Sequence, residues 1–316
     1  MSTSGGKKAV IAALAANLGI AVSKFVAFAF TGSASMLAEG IHSVADSGNQ
    51  LLLLYGGRQA KRAPDSRHQF GHGQARYFYA FVVAVVLFTL GSLFALFEGY
   101  AKLRNPHKLD RPAIAVGVLL VAIVLESLSF RTAIREADGV RGEHSWAHFI
   151  RHSRAPELPV ILLEDFGALI GLMLALAGLA LAIVTGQSRY DALGTMSIGV
   201  LLGAIAIVLA VETKSLLLGE SATDKQATAI KTALLGGAEI ERLIDLKTMH
   251  LGPEELLVAA KVQVQVALTA GGVAAAINAA EARVRAAVPI ARVVYIEPDV
   301  FSDDYESPTA ESPAQH

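Results

Sequence analysis

The chain has 316 residues, 53% of them hydrophobic and 17% charged, with a mean hydropathy of +0.48. That is too apolar for an ordinary soluble domain, and a formal net charge of −1 gives no global field for nucleic acid or another polyanion. The absence of cysteine excludes disulfides, thiolate zinc sites and thiol catalysis.

Residues 1–8 are short and polar, without a signal-peptide cleavage pattern or an Arg-rich amphipathic transit segment, and read as a cytosolic start. Six blocks then have the roughly 20 apolar residues that crossing a bilayer requires: 9–30, 34–56, 77–100, 112–133, 158–185 and 192–213. The first carries Asn17 and Lys24, the latter placed to snorkel.

The second block carries Glu39, His42 and Asp46. An ionisable group at mid-membrane costs roughly 2.5–3.5 kcal/mol even on lenient scales, so it faces a partner, a cavity or an ion path. His42 and Asp46 stand at i and i+4 on one helix face. An imidazole nitrogen and a carboxylate oxygen so placed form half of a tetrahedral divalent-metal site. The same pair can instead join two spans by hydrogen bonds.

The loop 57–76 holds five basic residues, Arg58, Lys61, Arg62, Arg67 and Arg76. With Lys7, Lys8 and Lys214 it puts the N-terminus, this loop and the C-terminal part in the cytoplasm; Lys102, Arg104, Lys108 and Arg111 on the other side run against that rule. The loop also offers Asp65, His68 and His72, three N/O donors able to hold zinc with a water or a fourth residue. The alternative is an acid capping a helix and two surface histidines. Glu98 in the third block, and Glu126 with Arg131 as an ion pair in the fourth, read as structural.

In the connection 134–157, His144, His148 and His152 recur at four-residue intervals, either as a metal stripe or, the reading preferred here, as a solvated membrane-surface segment around Trp146 and Phe149. The fifth block carries adjacent acids, Glu164 and Asp165. Neighbours on a helix point about 100° apart, so the two cannot line one site equally. One can meet His42 and Asp46 while the other faces a cavity or another span.

After Ser221 the texture becomes soluble. A helix is predicted over 224–235, strands over 243–251 and 256–267 around a Gly-Pro turn, an Ala-rich helix over 273–288 and a strand over 291–297. That αββαβ order suits a two-layer α+β domain, and the acidic stretch 302–316 reads as a disordered tail.

With these residues in place the chain resembles the cation diffusion facilitators, a family of divalent-metal/proton antiporters. The second block reads Gly32-Ser-x-x-Met-Leu-Ala-Glu-x-Ile-His-Ser-x-Ala-Asp46 where the family has an HxxxD or DxxxD ligand pair, and His68-x-Phe-Gly-His-Gly73 matches its H-x-F-G-H-G signature. Arg76-Tyr-Phe-Tyr, Phe97-Glu-Gly, Leu162-Leu-Glu-Asp165 and Tyr295-Ile-Glu-Pro-Asp299 are similar to the branch containing the mitochondrial zinc exporter and its bacterial relatives. The resemblance covers nearly the whole chain. It implies an α-helical membrane protein of six transmembrane helices (1–218), followed by a C-terminal cytosolic α+β ferredoxin-like (αββαβ) dimerisation domain (219–301).

It further implies a homodimer and no enzymatic activity, and the bare N-terminus makes a bacterial cytoplasmic membrane the simplest location. His42, Asp46 and Asp165 become transport ligands, and Asp65, His68 and His72 an auxiliary cytoplasmic site. Where the family has a second histidine, four residues before the fifth-span aspartate, this chain has Ile161. Glu164, Glu39 or water is left to complete the site. The soluble part lacks the family's zinc-binding histidines, retaining only His250, with Asp299 in a ligand-poor segment, and reads as metal-poor.

Metal ligands must lose their protons to bind, so metal and proton compete and a proton gradient can drive export. Zn²⁺ is the expected cargo; the donor set does not exclude Mn²⁺, Co²⁺, Ni²⁺ or Fe²⁺, and the loss of one histidine shifts the balance toward harder metals such as Mn²⁺. Two competing readings are a non-transporting membrane scaffold or metal-responsive partner that keeps the fold, and an intramembrane hydrolase; the match to transporters argues against the hydrolase.

Overall fold

The computed structural model describes residues 4–31, 34–105 and 112–302. Contacts divide the chain into two compact units, Met1–Ala63 with Gln74–Leu217, and Pro64–Gly73 with Leu218–His316. The predicted tail lies, from residue 303 on, outside the described residues, as do Lys108 and Arg111.

The first unit is helical: α1 (Ser4–Thr31), α2 (Ala34–Gln59), α3 (Ala75–Val86), a π-helical stretch Leu87–Leu93, α4 (Phe94–Arg104), α5 (Pro112–Arg141), α6 (Trp146–His152), α7 (Glu157–Thr185) and α8 (Arg189–Leu218). Among the described residues, five helical stretches are long and apolar enough to cross a membrane: Lys7–Phe30, Ala75–Arg104, Pro112–Arg141, Glu157–Thr185 and Arg189–Leu218. The helix α2 has the length, at 26 residues, but its acids, amides and serines dilute its apolar character. The helix α5 runs two turns past the predicted apolar block, to Arg141.

The helix α1 packs against α2, α5 and α7, and α5 against α7. Buried residues line α7 from Glu157 to Ala182. Large apolar side chains face outward instead, among them Phe30 (77% exposed), Phe97 (71%) and Val184 (84%). A soluble protein would not leave so much hydrocarbon to water, whereas a bilayer solvates it.

Small residues let the helices come close. A methyl group at Gly199 of α8 would lie 2.7 Å from Leu96 Cγ, and one at Gly203 would lie 2.7 Å from Ser92 Oγ. Ser92, on the π-helical stretch, donates its hydroxyl to the Gly199 carbonyl at 2.8 Å. At the start of α7 Glu157 pairs with Arg76, and the Tyr77 hydroxyl donates to the Arg154 carbonyl at 3.1 Å.

The second unit contains α9 (Asp224–Leu234), β1 (Ile240–Gly252), β2 (Glu255–Val264), α10 (Ala270–Ala287) and β3 (Val293–Asp299). The sheet order is β1-β2-β3, with β1 antiparallel and β3 parallel to β2. The predicted αββαβ order is thus observed, with shifts of a few residues at the ends. Alternation in β2 buries Leu256, Val258, Ala260 and Val262 against Ile230, Leu234, Ala280 and Val284 of the two helices. Thr223 and Gln226 close a capping box at the start of α9.

Candidate metal centres

The helix α7 carries its two acids to different neighbours, as their angular spacing requires. Asp165, 2% exposed, accepts a hydrogen bond from Ser129 Oγ of α5 at 2.7 Å through Oδ2. Glu164 turns to α2, where Oε1 accepts from Asn49 Nδ2 at 2.9 Å and Oε2 from Gln50 Nε2 at 3.1 Å. Asn17 Nδ2 of α1 in turn donates to Gln50 Oε1 at 3.3 Å. Three helices are therefore tied to one carboxylate.

Asp46, half-buried one turn before Asn49 on α2, lies close enough to Glu164 and to Glu126 of α5 to interact with both electrostatically. Glu39 and His42 belong to α2, but their side chains lie outside the described residues. Ile161 is fully buried in the apolar cluster with Val160 and Leu162, so its position offers hydrocarbon and no donor.

Two expectations from sequence fail. Lys24 does not snorkel: it is 8% exposed and donates to Ser43 Oγ of α2 at 3.0 Å. Glu126 forms no ion pair with Arg131, because five residues on a helix place them on different faces. Glu126 is 2% exposed, in the same seam of α5 as Ser129, while Arg131 is exposed.

The second cluster is on the surface. The carboxylate oxygens of Asp65 and the ring nitrogens of His68 and His72 supply one donor each, all within 4.8 Å of one another. The segment forms no helix. Asp65 Oδ1 instead accepts the backbone N–H groups of Arg67 (2.8 Å) and His68 (2.7 Å), an Asx turn that folds the loop back on itself. Those two backbone donors, and then the neighbouring imidazoles, lower the Asp65 pKa to about 2, so the ligand oxygen is held ionised. His72 Nε2 lies 3.2 Å from Oδ2 and His68 Nδ1 lies 3.4 Å from Oδ1.

Glycine fixes this loop in place. Gly71 has φ +83°, and at Gly73 a methyl group would lie 2.6 Å from the Leu251 carbonyl oxygen, at the end of β1.

Of the other candidates, His144 precedes α6, which begins at Trp146 under a Ser145 cap. The three rings nevertheless stack in a row, His144 on His148 at 4.6 Å and His148 on His152 at 4.2 Å, all exposed. Packing between its neighbours, and then their repulsion, lowers the His148 pKa. Asp299 is paired with Lys261 at 2.9 Å, which lowers its pKa. Lys102 bridges Glu98 (3.1 Å) and Asp191 (3.4 Å), which neutralises one of the basic residues that ran against the charge rule.

Sequence reasoning missed Asn49, Gln50 and Ser129. A signal was available for the amides, which stand side by side inside an apolar run, and for Ser129, one turn from Glu126.

Residues 10–218 match the model of the cation efflux transmembrane domain. The chain is 31% identical over 265 residues to the mitochondrial proton-coupled zinc antiporter of Xenopus laevis, a match covering 83% of this chain and 47% of the relative. It is 32% identical over 235 residues to the Homo sapiens protein of the same name (72% and 41%). It is 28% identical over 251 residues to the cation-efflux pump FieF of Klebsiella pneumoniae (79% and 78%). The chain thus spans less than half the length of the two antiporters and most of the bacterial pump.

Proposed function

We propose that this chain, which belongs to the cation efflux family of transporters and not to an enzyme family, moves divalent metal cations out of the cytosol in exchange for protons, with Zn²⁺ as cargo. The observation that carries the reading is the group of acids on α2, α5 and α7, with Glu126, Glu164 and Asp165 buried and Asp46 half-buried, in a chain whose transmembrane part matches a cation-efflux domain. Proton-coupled zinc antiport is what two of the relatives are named for.

In this reading α2 is a sixth span, and His42, Asp46 and Asp165 hold the cargo. The Ser129 hydroxyl and the amides of Asn49 and Gln50 orient the carboxylates of α7. Protons and metal compete for the same lone pairs, so a site that alternately faces the two sides exports one as it imports the other. Asp65, His68 and His72 hold a second, cytosolic ion. Residues 219–301 form a ferredoxin-like domain through which two chains pair as a homodimer, with both termini in the cytoplasm. The membrane we assign is a bacterial cytoplasmic membrane, because the bacterial pump is matched over 78% of its length.

Ile161 supports a second cargo class. An oxygen-rich set with one imidazole suits a harder metal such as Mn²⁺ better than the usual set with two imidazoles does, and it still admits Co²⁺, Ni²⁺ or Fe²⁺.

The test is metal uptake into proteoliposomes under an imposed pH gradient, with Zn²⁺, Mn²⁺, Co²⁺ and Fe²⁺ side by side, wild type against Asp165→Ala. Gradient-driven Zn²⁺ flux that collapses in the variant supports the antiporter. Flux of another metal keeps the mechanism and moves the cargo. No flux from folded protein leaves the scaffold reading.

A further inference from the structure

The proposed site is one donor short. Ile161 occupies the face of α7 one turn before Asp165 and contributes only hydrocarbon. Glu164 is turned to α2, with each oxygen already accepting an amide N–H.

The buried seam of α5 consists of Val118, Ala122, Glu126, Ser129, Ala133 and Ala137. Small residues there let α1 and α7 approach, and Glu126 interrupts them. Among the described residues it has neither a hydrogen-bond partner nor an ion-pair partner, although it is 2% exposed. Among the described residues the charged groups that act on it are Asp165, Glu164 and Asp46, all of its own sign. Among them it therefore has no structural ion pair, and a buried carboxylate beside three others calls for a cation or a proton. Ser129, one turn along the same face, is the residue that holds Asp165. On α2, Asn49 Oδ1 is buried and accepts no hydrogen bond, while the nitrogen of the same amide is on Glu164.

We infer that Glu126 is itself a ligand of the transported metal, the oxygen donor on α5 that takes the place of the one Ile161 cannot supply. The inference rests on the transport-site reading above and deepens it. A cargo held by three carboxylates and one imidazole meets a harder donor set than one held by two of each, so Glu126 is also a determinant of metal choice.

The test measures equilibrium binding of Zn²⁺ to the full chain in detergent, on a background carrying Asp65→Ala, His68→Ala and His72→Ala so that the loop contributes no bound ion. Glu126→Gln is expected to weaken binding about tenfold or more, and Glu126→Asp to recover part of the loss. With Co²⁺ as the probe at saturation, the ligand-field absorption of Glu126→Gln is expected to differ from the background. A residue acting only through packing would change the affinity and leave that spectrum alone.

Unchanged Zn²⁺ affinity, or an unchanged Co²⁺ spectrum, in Glu126→Gln overturns the assignment. If Glu126→Gln does not give a monodisperse protein, Glu126→Asp decides: weaker binding with an altered spectrum supports the ligand, and background values for both overturn it. A background protein that binds no Zn²⁺, or whose binding survives Asp165→Ala, removes the transport-site reading and this inference with it.

Discussion

Asp165 and Asp65 are both aspartates anchored by hydrogen bonds at 2.7 Å, and almost everything else about their surroundings differs. Asp165 is 2% exposed, held by a hydroxyl from another helix, and its neighbours are further acids. Asp65 is exposed, held by the backbone of its own loop, and its neighbours are imidazoles. The loop is complete within eight residues and is built by local geometry. The helical group exists only once α2, α5 and α7 have packed. The contrast separates two uses of one chemistry. A preorganised surface triad suits an ion that stays, whereas carboxylates gathered between packed helices suit an ion or proton that comes and goes.

The comparison breaks most directly at Asp165. Asp165→Ala is expected to lower gradient-driven metal flux by about a hundredfold or more, beyond the loss usual for a supporting partner, while the loop still binds its zinc. Flux retained in the variant, read in proteoliposomes, would move the pathway away from α7. A smaller effect is expected from Gln50→Leu, which removes the donor to Glu164 Oε2 and the acceptor for Asn17 together. Flux should fall about tenfold, with zinc at the loop unaltered. An equal loss at both sites would mean that Gln50 acts on folding and not on the carboxylate.

The two regions also differ in how far they could be read from sequence. Asp65, His68 and His72 are contiguous, and their spacing alone announced a donor set, although the helix-capping alternative was wrong: an Asx turn forms where no helix does. The αββαβ order was legible because alternation in β2 and the Gly-Pro turn are local signals. The helical group was only half legible. Asp165 and Glu164 stood out as acids in an apolar run, but the partners of each come from distant helices, 36 residues away for Ser129 and 115 for Asn49. Periodicity carries no information about which helix lies opposite, and so Lys24 and Glu126 were assigned to lipid headgroups and to Arg131.

Asp65→Asn sharpens the loop side of the comparison. Asparagine keeps an oxygen for the N–H groups of Arg67 and His68 but loses the charge and turns the second oxygen, the one facing His72, into an NH2. Zinc bound by the loop should weaken about tenfold while the turn survives, and flux should change far less than in Asp165→Ala. The Asp65 pKa is lowered from 3.8 to about 2. Whatever its bonds to the loop backbone contribute is therefore present in full above about pH 3.8 and lost as pH falls through about 2. Between pH 8 and 5 the acid therefore adds no slope to zinc binding by the loop. A change in the pH slope of loop zinc affinity between pH 8 and 5 on Asp65→Asn, beyond a uniform weakening, would contradict this.

The smallest effect is expected where no ligand is touched. In Gly73→Ala the new methyl group meets the Leu251 carbonyl oxygen at 2.6 Å and the Gly252 Cα at 3.1 Å, both backbone atoms at the end of β1 that cannot rotate away. Something must shift, and the loop, tied to the sheet there only by close approach, moves more readily than a paired strand. The donors of Asp65, His68 and His72 then lose their common focus, so zinc affinity at the loop should fall several-fold, less than on deleting a ligand. Flux through the helices should stay within twofold. Equilibrium dialysis in an Asp165→Ala background isolates the loop's contribution. Unchanged affinity there would mean that the Asx turn alone sets the triad, and that the glycine contact serves only to fasten it.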